Sequence, residues 1–264
     1  MKSHSLITRV LVPVALAVAV WYALALVVEA VRGVDFPTPL DTARRLAALL
    51  AGDPLGDHSV YRHIGDSLLR WVTGFVIAAV AGIAVGLATG WSETVRGMVA
   101  PLLHGLQLIP GLAWIPVALL LFGLGETATI FMIAMASFTP VAISVMDGVN
   151  RVDTQYVRAA RMLGAGRRAL FLCVLLPGAL PALITGLRIG LGHGWRVVVA
   201  AEMIVGAGTG LGYSIIEARW TLDYPSAFAC VAAICVIGLV VERVVFARLE
   251  QRTLARWSLA RDSS

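Results

Sequence analysis

Tyr156-Val-Arg158-Ala-Ala-Arg161-Met-Leu-Gly164-Ala-Gly-Arg167-Arg168-Ala-Leu-Phe-Leu-Cys173-Val-Leu-Leu176-Pro177 is a basic island between two hydrophobic blocks. Four arginines lie within it and Arg151 just ahead, and a new uncharged stretch begins at residue 169. Lys and Arg accumulate in the cytoplasmic loops of membrane proteins, so the island marks a cytoplasmic face. Its small residues, Ala159, Ala160, Gly164 and Ala165, suit a short helix that another protein can approach closely. Gly164 fits the left-handed position that ends such a helix. Pro177, which lacks an N–H, fits the first turn of the next one.

The rest of the chain agrees with a membrane setting. Of its 264 residues 59% are hydrophobic and 14% charged, against roughly 45–50% and about 25% in a soluble domain. Mean hydropathy is +0.85. Uncharged runs cover 10–28, 71–92, 97–125, 127–146, 169–187, 203–216 and 224–241. A spanning helix needs about 20 mostly apolar residues. These runs predict an all-α, polytopic protein with six transmembrane helices at 10–31, 68–90, 100–122, 127–147, 176–201 and 225–246. With the N-terminus inside, 13 basic residues are cytoplasmic and 5 external, Arg70, Arg188 and Arg196 lying in or near spans. That asymmetry predicts an N-in, C-in topology, and the net charge of +5 reflects topology rather than nucleic-acid binding. Ala23-Leu-Ala25 resembles a cleavage site, but the apolar run continues past it, so the first span is expected to stay uncleaved. Cys173, Cys230 and Cys235 form no disulfide framework and read as inert fillers.

A single domain over 1–264 is expected, with core helices over about 68–246 and a cytoplasmic segment at 148–175. In the external segment 32–65, Phe36-Pro-Thr-Pro39 is stiff and extended. Leu40, Ala43, Leu46, Ala47 and Leu50 then follow at helical spacing, which predicts a short interfacial helix ended by Gly52-Asp-Pro54. In the second span Gly74, Gly82, Gly86 and Gly90 permit close helix approach. Pro101, Pro110 and Pro116 break the third, as a conduit or as a kinked packing helix.

The fifth span carries Arg188, His193, Trp195 and Arg196, with Glu202 beyond. Charges at membrane depth normally face a bundle interior or water. Arg188 and Arg196 fit either a transient anion path or helix bracing through Glu202 or backbone carbonyls, with bracing favoured. Arg188 and Trp195, seven apart, share a helix face.

Signatures of independent chemistry are missing. A Walker A loop requires a Lys at the terminal phosphates, and the sole lysine here is Lys2. The glycine-rich stretch from Gly206 to Gly212 does not fit Gly-x-Gly-x-x-Gly and reads as a flexible outer loop or re-entrant turn. There is no Gly-x-Ser-x-Gly or His-Glu-x-x-His. His58 and His63 read as surface histidines in a loop, and no metal site is expected.

Arg158-Ala-Ala-Arg-Met-Leu-Gly164-Ala-Gly followed by Leu176-Pro177 resembles the "EAA" loop of ABC-importer permease subunits. Pro177-x-x-x-Pro181-x-x-x-Thr185-Gly-Leu-Arg188, Gly194-Trp195-Arg196, Ala200-Ala-Glu202-Met203 and Gly210-Leu-Gly-Tyr213 are similar to the nitrate/sulfonate/taurine subclass. So are Phe36-Pro-Thr-Pro39, Ser67-Leu-Leu-Arg70 with Gly74-Phe75, and Pro110-x-x-x-Trp114-x-Pro116. The resemblance runs in order along nearly the whole chain. It implies the type I ABC importer transmembrane fold in a bacterial cytoplasmic membrane, moving small oxyanions or sulfonates inward, or in some members uncharged heterocycles. It further implies a second permease copy, two ATPase subunits that bind ATP and Mg and dock on residues 153–168, and a periplasmic or lipid-anchored solute-binding protein near 32–65 and 202–224. Arg158, Ala159, Ala160, Gly164, Ala165 and Pro177 then carry ATPase coupling. Where the family has an acidic residue this chain has Arg158, which would pair with an acidic ATPase surface or with its own Asp153. The rival readings are a secondary transporter or channel, which would typically show an inverted repeat, and a membrane enzyme built on Arg188, His193, Arg196 and Glu202.

Overall fold

The computed structural model describes residues 3–206, 208–241 and 243. Its elements are α1 (Ser3–Arg32), α2 (Pro39–Ala51), a two-stranded β1–β2 hairpin (Pro54–Leu55, His58–Ser59), α3 (Val60–Trp91), α4 (Glu93–Gln107), a 3-10 turn (Gly111–Trp114), α5 (Ile115–Phe122) and α6 (Glu126–Asn150). There follow α7 (Thr154–Met162), α8 (Arg167–Leu170), a π turn (Phe171–Leu175), α9 (Leu176–Val205), α10 (Leu211–Trp220) and α11 (Tyr224–Val240).

At the centre is α6, flanked by α3 and α9. Small residues on the flanking helices set the spacing. In α3, Gly74, Gly82, Gly86 and Gly90 meet Ile133, Val141, Val145 and Val149 in turn. At Gly86 an added Cβ would lie 2.5 Å from the Ala142 carbonyl oxygen, where no side chain fits. On the other side Gly186, Gly190 and Gly194 of α9 close on Ser144, Val141 and Ser137. Backbone-to-backbone approach of this kind replaces the hydrophobic drive that helices lack in lipid. The expected packing role of the α3 glycines is therefore realised against α6.

Four helical runs are long and apolar enough to cross a bilayer: 11–32, α3, α6 and the continuous run 167–205. The expected third span is not straight. Its two arms, α4 and the segment Gly111–Phe122, meet at 102°, and counted together they make a fifth crossing or a re-entrant pair. Pro110 sits at the break, where its ring can neither donate an N–H nor continue the preceding helix, and Pro116 lies in the first turn of α5. The fifth run begins earlier than expected, because helix resumes at Arg167. The described part of α11 has 17 residues, ~25 Å of helix; the end of the expected sixth span, Lys2 and the basic residues from Arg248 onward lie outside the described residues.

One local expectation is refined and two change. α2 forms with Thr38 and Asp41 in a reciprocal capping box and Gly52 left-handed at its end, but the side it turns to the protein carries Thr42, Leu46 and Leu49. Of the expected stripe Leu40, Ala43, Leu46, Ala47 and Leu50, only Leu46 is half-buried and the other four are exposed, as on a helix lying at an interface. His63 is not a surface loop residue; it lies in the first turns of α3 and is 1% exposed. And the glycine-rich stretch leads directly into α10, half of whose first four residues are glycine or serine buried against α9 and α3.

Candidate coupling helix and buried charges

Asp153 starts α7 by accepting a hydrogen bond from the Gln155 N–H at 2.8 Å. The helix runs nine residues, none of them buried. Its end is a Schellman closure: Gly164, at φ +80°, donates to the Arg161 carbonyl and Ala165 to that of Ala160, both at 3.0 Å. A short helix fixed at both ends behaves as a rigid lever. Val157 and Ala160 face inward, half-buried, while Arg158, Ala159 and Arg161 are exposed. Tyr156, Met162 and Leu163 stand out at 67%, 88% and 88% exposure. Arg158 forms no ion pair among the described residues, and Asp153 serves as the cap rather than as its partner.

Chain direction then reverses into the run 167–205. Pro177 sits in the first turn of α9. The turn before it is widened, the Leu176 N–H reaching back five residues to the Phe171 carbonyl. A proline ring crowds the carbonyl four residues back, and a π turn relieves such crowding without ending the helix. The lever and the membrane run are thus joined by helix from Arg167 on.

At the opposite end of α9 the charges are buried. Glu202, 1% exposed, accepts hydrogen bonds from Ser67 Oγ at 2.9 Å, from Arg70 Nη1 at 2.9 Å and from the Gly212 N–H at 3.0 Å. Arg70 also donates to the Thr209 carbonyl at 2.7 Å, to Thr209 Oγ1 at 2.8 Å and to Glu126 Oε1 at 3.1 Å. Ser67 in turn accepts from the Leu211 N–H, and His63 Nδ1 from the Gly210 N–H. Residues 208–210 and the start of α10 wrap this cluster, and a Cβ at Gly210 would collide with the Glu202 carboxylate. That is the physical reason for the glycine there.

This cluster corrects the expected bracing pair. Glu202 is held by Arg70, not by Arg188 or Arg196. Those two, both exposed, line a cavity of about 440 Å³ with His193, Trp195 and Trp71 between α9, α3 and α11. Trp195 is buried edge-on to Trp71, centroids 5.0 Å apart, and donates to the Ile234 carbonyl at 3.3 Å. It packs the cavity wall while the two arginines supply the charge. The arrangement gathers Arg188, Trp195 and Arg196 at one cavity and leaves Glu202 in another site. His63, Ser67, Arg70 and Glu126 were missed as a group. Their signal was present: polar residues at 63, 67 and 70, spaced four and three, lie on one face of an otherwise apolar helix.

Comparison with known proteins agrees with this architecture. The chain is 37% identical over 243 residues to the taurine transport system permease protein TauC of Escherichia coli (strain K12), covering 92% of this chain and 87% of that one. It is 30% identical over 243 residues to the nitrate import permease protein NrtB of Synechocystis sp. (strain ATCC 27184 / PCC 6803 / Kazusa), covering 90% and 86%. Among solved structures, an inward-facing MetNI methionine ABC transporter chain matches with a TM-score of 0.64 at 19% identity, over 79% of this chain and 98% of that one; at that identity it shows the fold, a type I ABC importer transmembrane domain. Residues 74–254 match the family described as binding-protein-dependent transport system inner membrane component, and the chain, a permease subunit of ABC importers, belongs to that family.

Proposed function

We propose that this permease imports a small anion, sulfonate or oxyanion, across a bacterial cytoplasmic membrane, driven by two separate ATPase subunits that dock on residues 153–168. The observation that carries the coupling reading is α7: capped at both ends, unburied along its length, and tipped by exposed Tyr156, Met162 and Leu163. Arg158, Ala159, Ala160, Gly164 and Ala165 form the contact, and Pro177 with the helix behind it carries displacement into the membrane as a rigid-body shift. ATP and Mg belong to the ATPase. A second copy of this chain completes the pathway, and an extracytoplasmic solute-binding protein docks near 32–65 and 202–224, supplying most selectivity.

The names of the relatives, a taurine and a nitrate permease, support an anionic solute. So do Arg188 and Arg196 at one cavity, where charge-assisted hydrogen bonds can hold an oxyanion transiently. Glu202 braces the pathway rather than lining it.

Co-purification tests the reading. The wild-type chain retains an ATPase; Gly164→Trp, which forces a bulky side chain into a left-handed backbone position, releases it. Full transport in liposomes without any ATPase would establish the secondary-transporter alternative. For the pathway, Arg188→Gln lowers transport while assembly stays intact; unchanged transport assigns Arg188 to bracing.

A further inference from the structure

The run 167–205 has 39 residues and α3 has 32, ~58 Å and ~48 Å of helix, against about 30 Å of hydrocarbon. Both therefore project beyond the membrane core. Their neighbouring ends, at Trp91 and at Arg167, enclose a groove of about 420 Å³ lined by Leu87, Ala88, Trp91, Arg167, Arg168 and Phe171. Trp91 packs edge-on against Phe171, centroids 5.3 Å apart, making an aromatic collar of the kind that settles at headgroup level. Arg167 and Arg168 are exposed at its rim, and neither forms an ion pair among the described residues. Below the collar, Val76, Val80, Ala84 and Ala88 follow at four-residue spacing and are all exposed or half-buried. They form one apolar strip down α3.

An apolar strip leading to an aromatic collar and two unpaired guanidiniums matches one ligand chemistry. We propose that this groove binds an anionic phospholipid, acyl chain along α3 and phosphate between Arg167 and Arg168. Guanidinium–phosphate recognition is charge-assisted and bidentate, and basic pockets beside membrane helices hold anionic headgroups. The proposal rests on α3 and the 167–205 run crossing the membrane; Arg167 and Arg168 close the 153–168 docking segment, but the ATPase contact itself is assigned to residues 158–165, so the lipid site does not depend on it.

Tryptophan quenching tests it in the complete importer reconstituted into nanodiscs. Brominated phosphatidylglycerol and brominated phosphatidylcholine are compared at equal mole fraction, the difference between wild type and Trp91→Phe isolating Trp91. Trp91 is expected to favour phosphatidylglycerol roughly thirtyfold, the sum of ~1 kcal/mol from each of the two arginines. The preference weakens at high salt, survives in Arg168→Lys and is lost in Arg167→Gln/Arg168→Gln. Equal quenching by both lipids overturns the proposal, as does a preference that persists in the double glutamine variant. Displacement of the brominated lipid by inorganic phosphate overturns the lipid assignment. ATPase co-purification is measured on the same samples, so its loss with lipid preference intact touches only the coupling reading.

Discussion

One end of the 167–205 run buries its charge and the other displays it. At the Glu202 end, a carboxylate and a guanidinium, with side chains 0% and 3% exposed, are surrounded by donors and acceptors from α3, α6, residues 208–210 and the start of α10. At the Arg167 end, five arginines and the capped lever α7 stand in the open. A buried ion pair is stable only when its remaining hydrogen-bonding sites are filled, and this one fills almost all: the Arg70 Nε alone is left without a partner. An exposed charge contributes little to the fold and is free to meet another molecule. The two ends teach which charges hold the permease together and which leave the fold unaffected.

The largest effect is expected where the buried end is broken. Glu202→Ala leaves the buried Arg70 with only the exposed Glu126 carboxylate as counter-ion and the Gly212 N–H without its acceptor, at about 3 kcal/mol, the low end for breaking a buried pair. Thermal denaturation in detergent should show the loss. Replacing both members, Arg70→Met with Glu202→Leu, should recover part of it, since an apolar pair of similar volume is often neutral or better while the Gly212 N–H still lacks an acceptor. If the single and double variants are equally unstable, the ion pair is not what holds this end.

Gly210→Val tests the turn that closes over the pair. The left-handed backbone at φ +120° and the collision with Glu202 act together, and strain of this kind costs about 1–3 kcal/mol. A drop comparable to that of Glu202→Ala would show that turn and ion pair fail as one unit. A normal melting temperature would separate them.

How far these two ends were legible follows from the same contrast. The island was readable because exposure leaves composition undisguised: Gly164 and Pro177 sit in the cap and first-turn positions that their backbone chemistry requires. The α3 glycines were readable by spacing. The Glu202 cluster was not, because it joins residues more than 130 positions apart, and no local pattern ties Ser67 and Arg70 to Glu202. Proximity in sequence suggested Arg188 and Arg196 instead. His63 was misplaced because the helix starts at Val60, earlier than hydropathy indicates; its polar first turns are buried by residues 208–210 and the start of α10 rather than by lipid. The bend between α4 and α5 was foreshadowed by three prolines, but its angle depends on tertiary packing.

At the displayed end Arg158→Glu should leave stability within about 0.5 kcal/mol, as for an exposed site without partners. ATPase co-purification should nonetheless change, because the substitution reverses the charge that Arg158 offers. Unchanged ATPase retention across a range of salt would remove Arg158 from the contact.

The smallest effect lies at Asp41, a half-buried charge that is hydrogen-bonded like Glu202 but sits at the surface end of a helix. Its carboxylate accepts from the Thr38 hydroxyl and backbone N–H, and these bonds, the hydroxyl first, hold its pKa below the ordinary value of 3.8. A depressed folded pKa means that the carboxylate favours the capped helix above the unfolded value, and that this contribution disappears as pH falls through the folded one. Hydrogen exchange across α2, corrected for its intrinsic pH dependence, should therefore show protection falling below about pH 4. Asp41→Asn, already neutral, should start from lower protection and show no such fall. An identical acid profile in both proteins would mean that the capping box does not sense pH. A fall in wild type alone would show that a hydrogen-bonded charge helps hold the fold even when only half-buried, so that partners as well as burial separate the two ends.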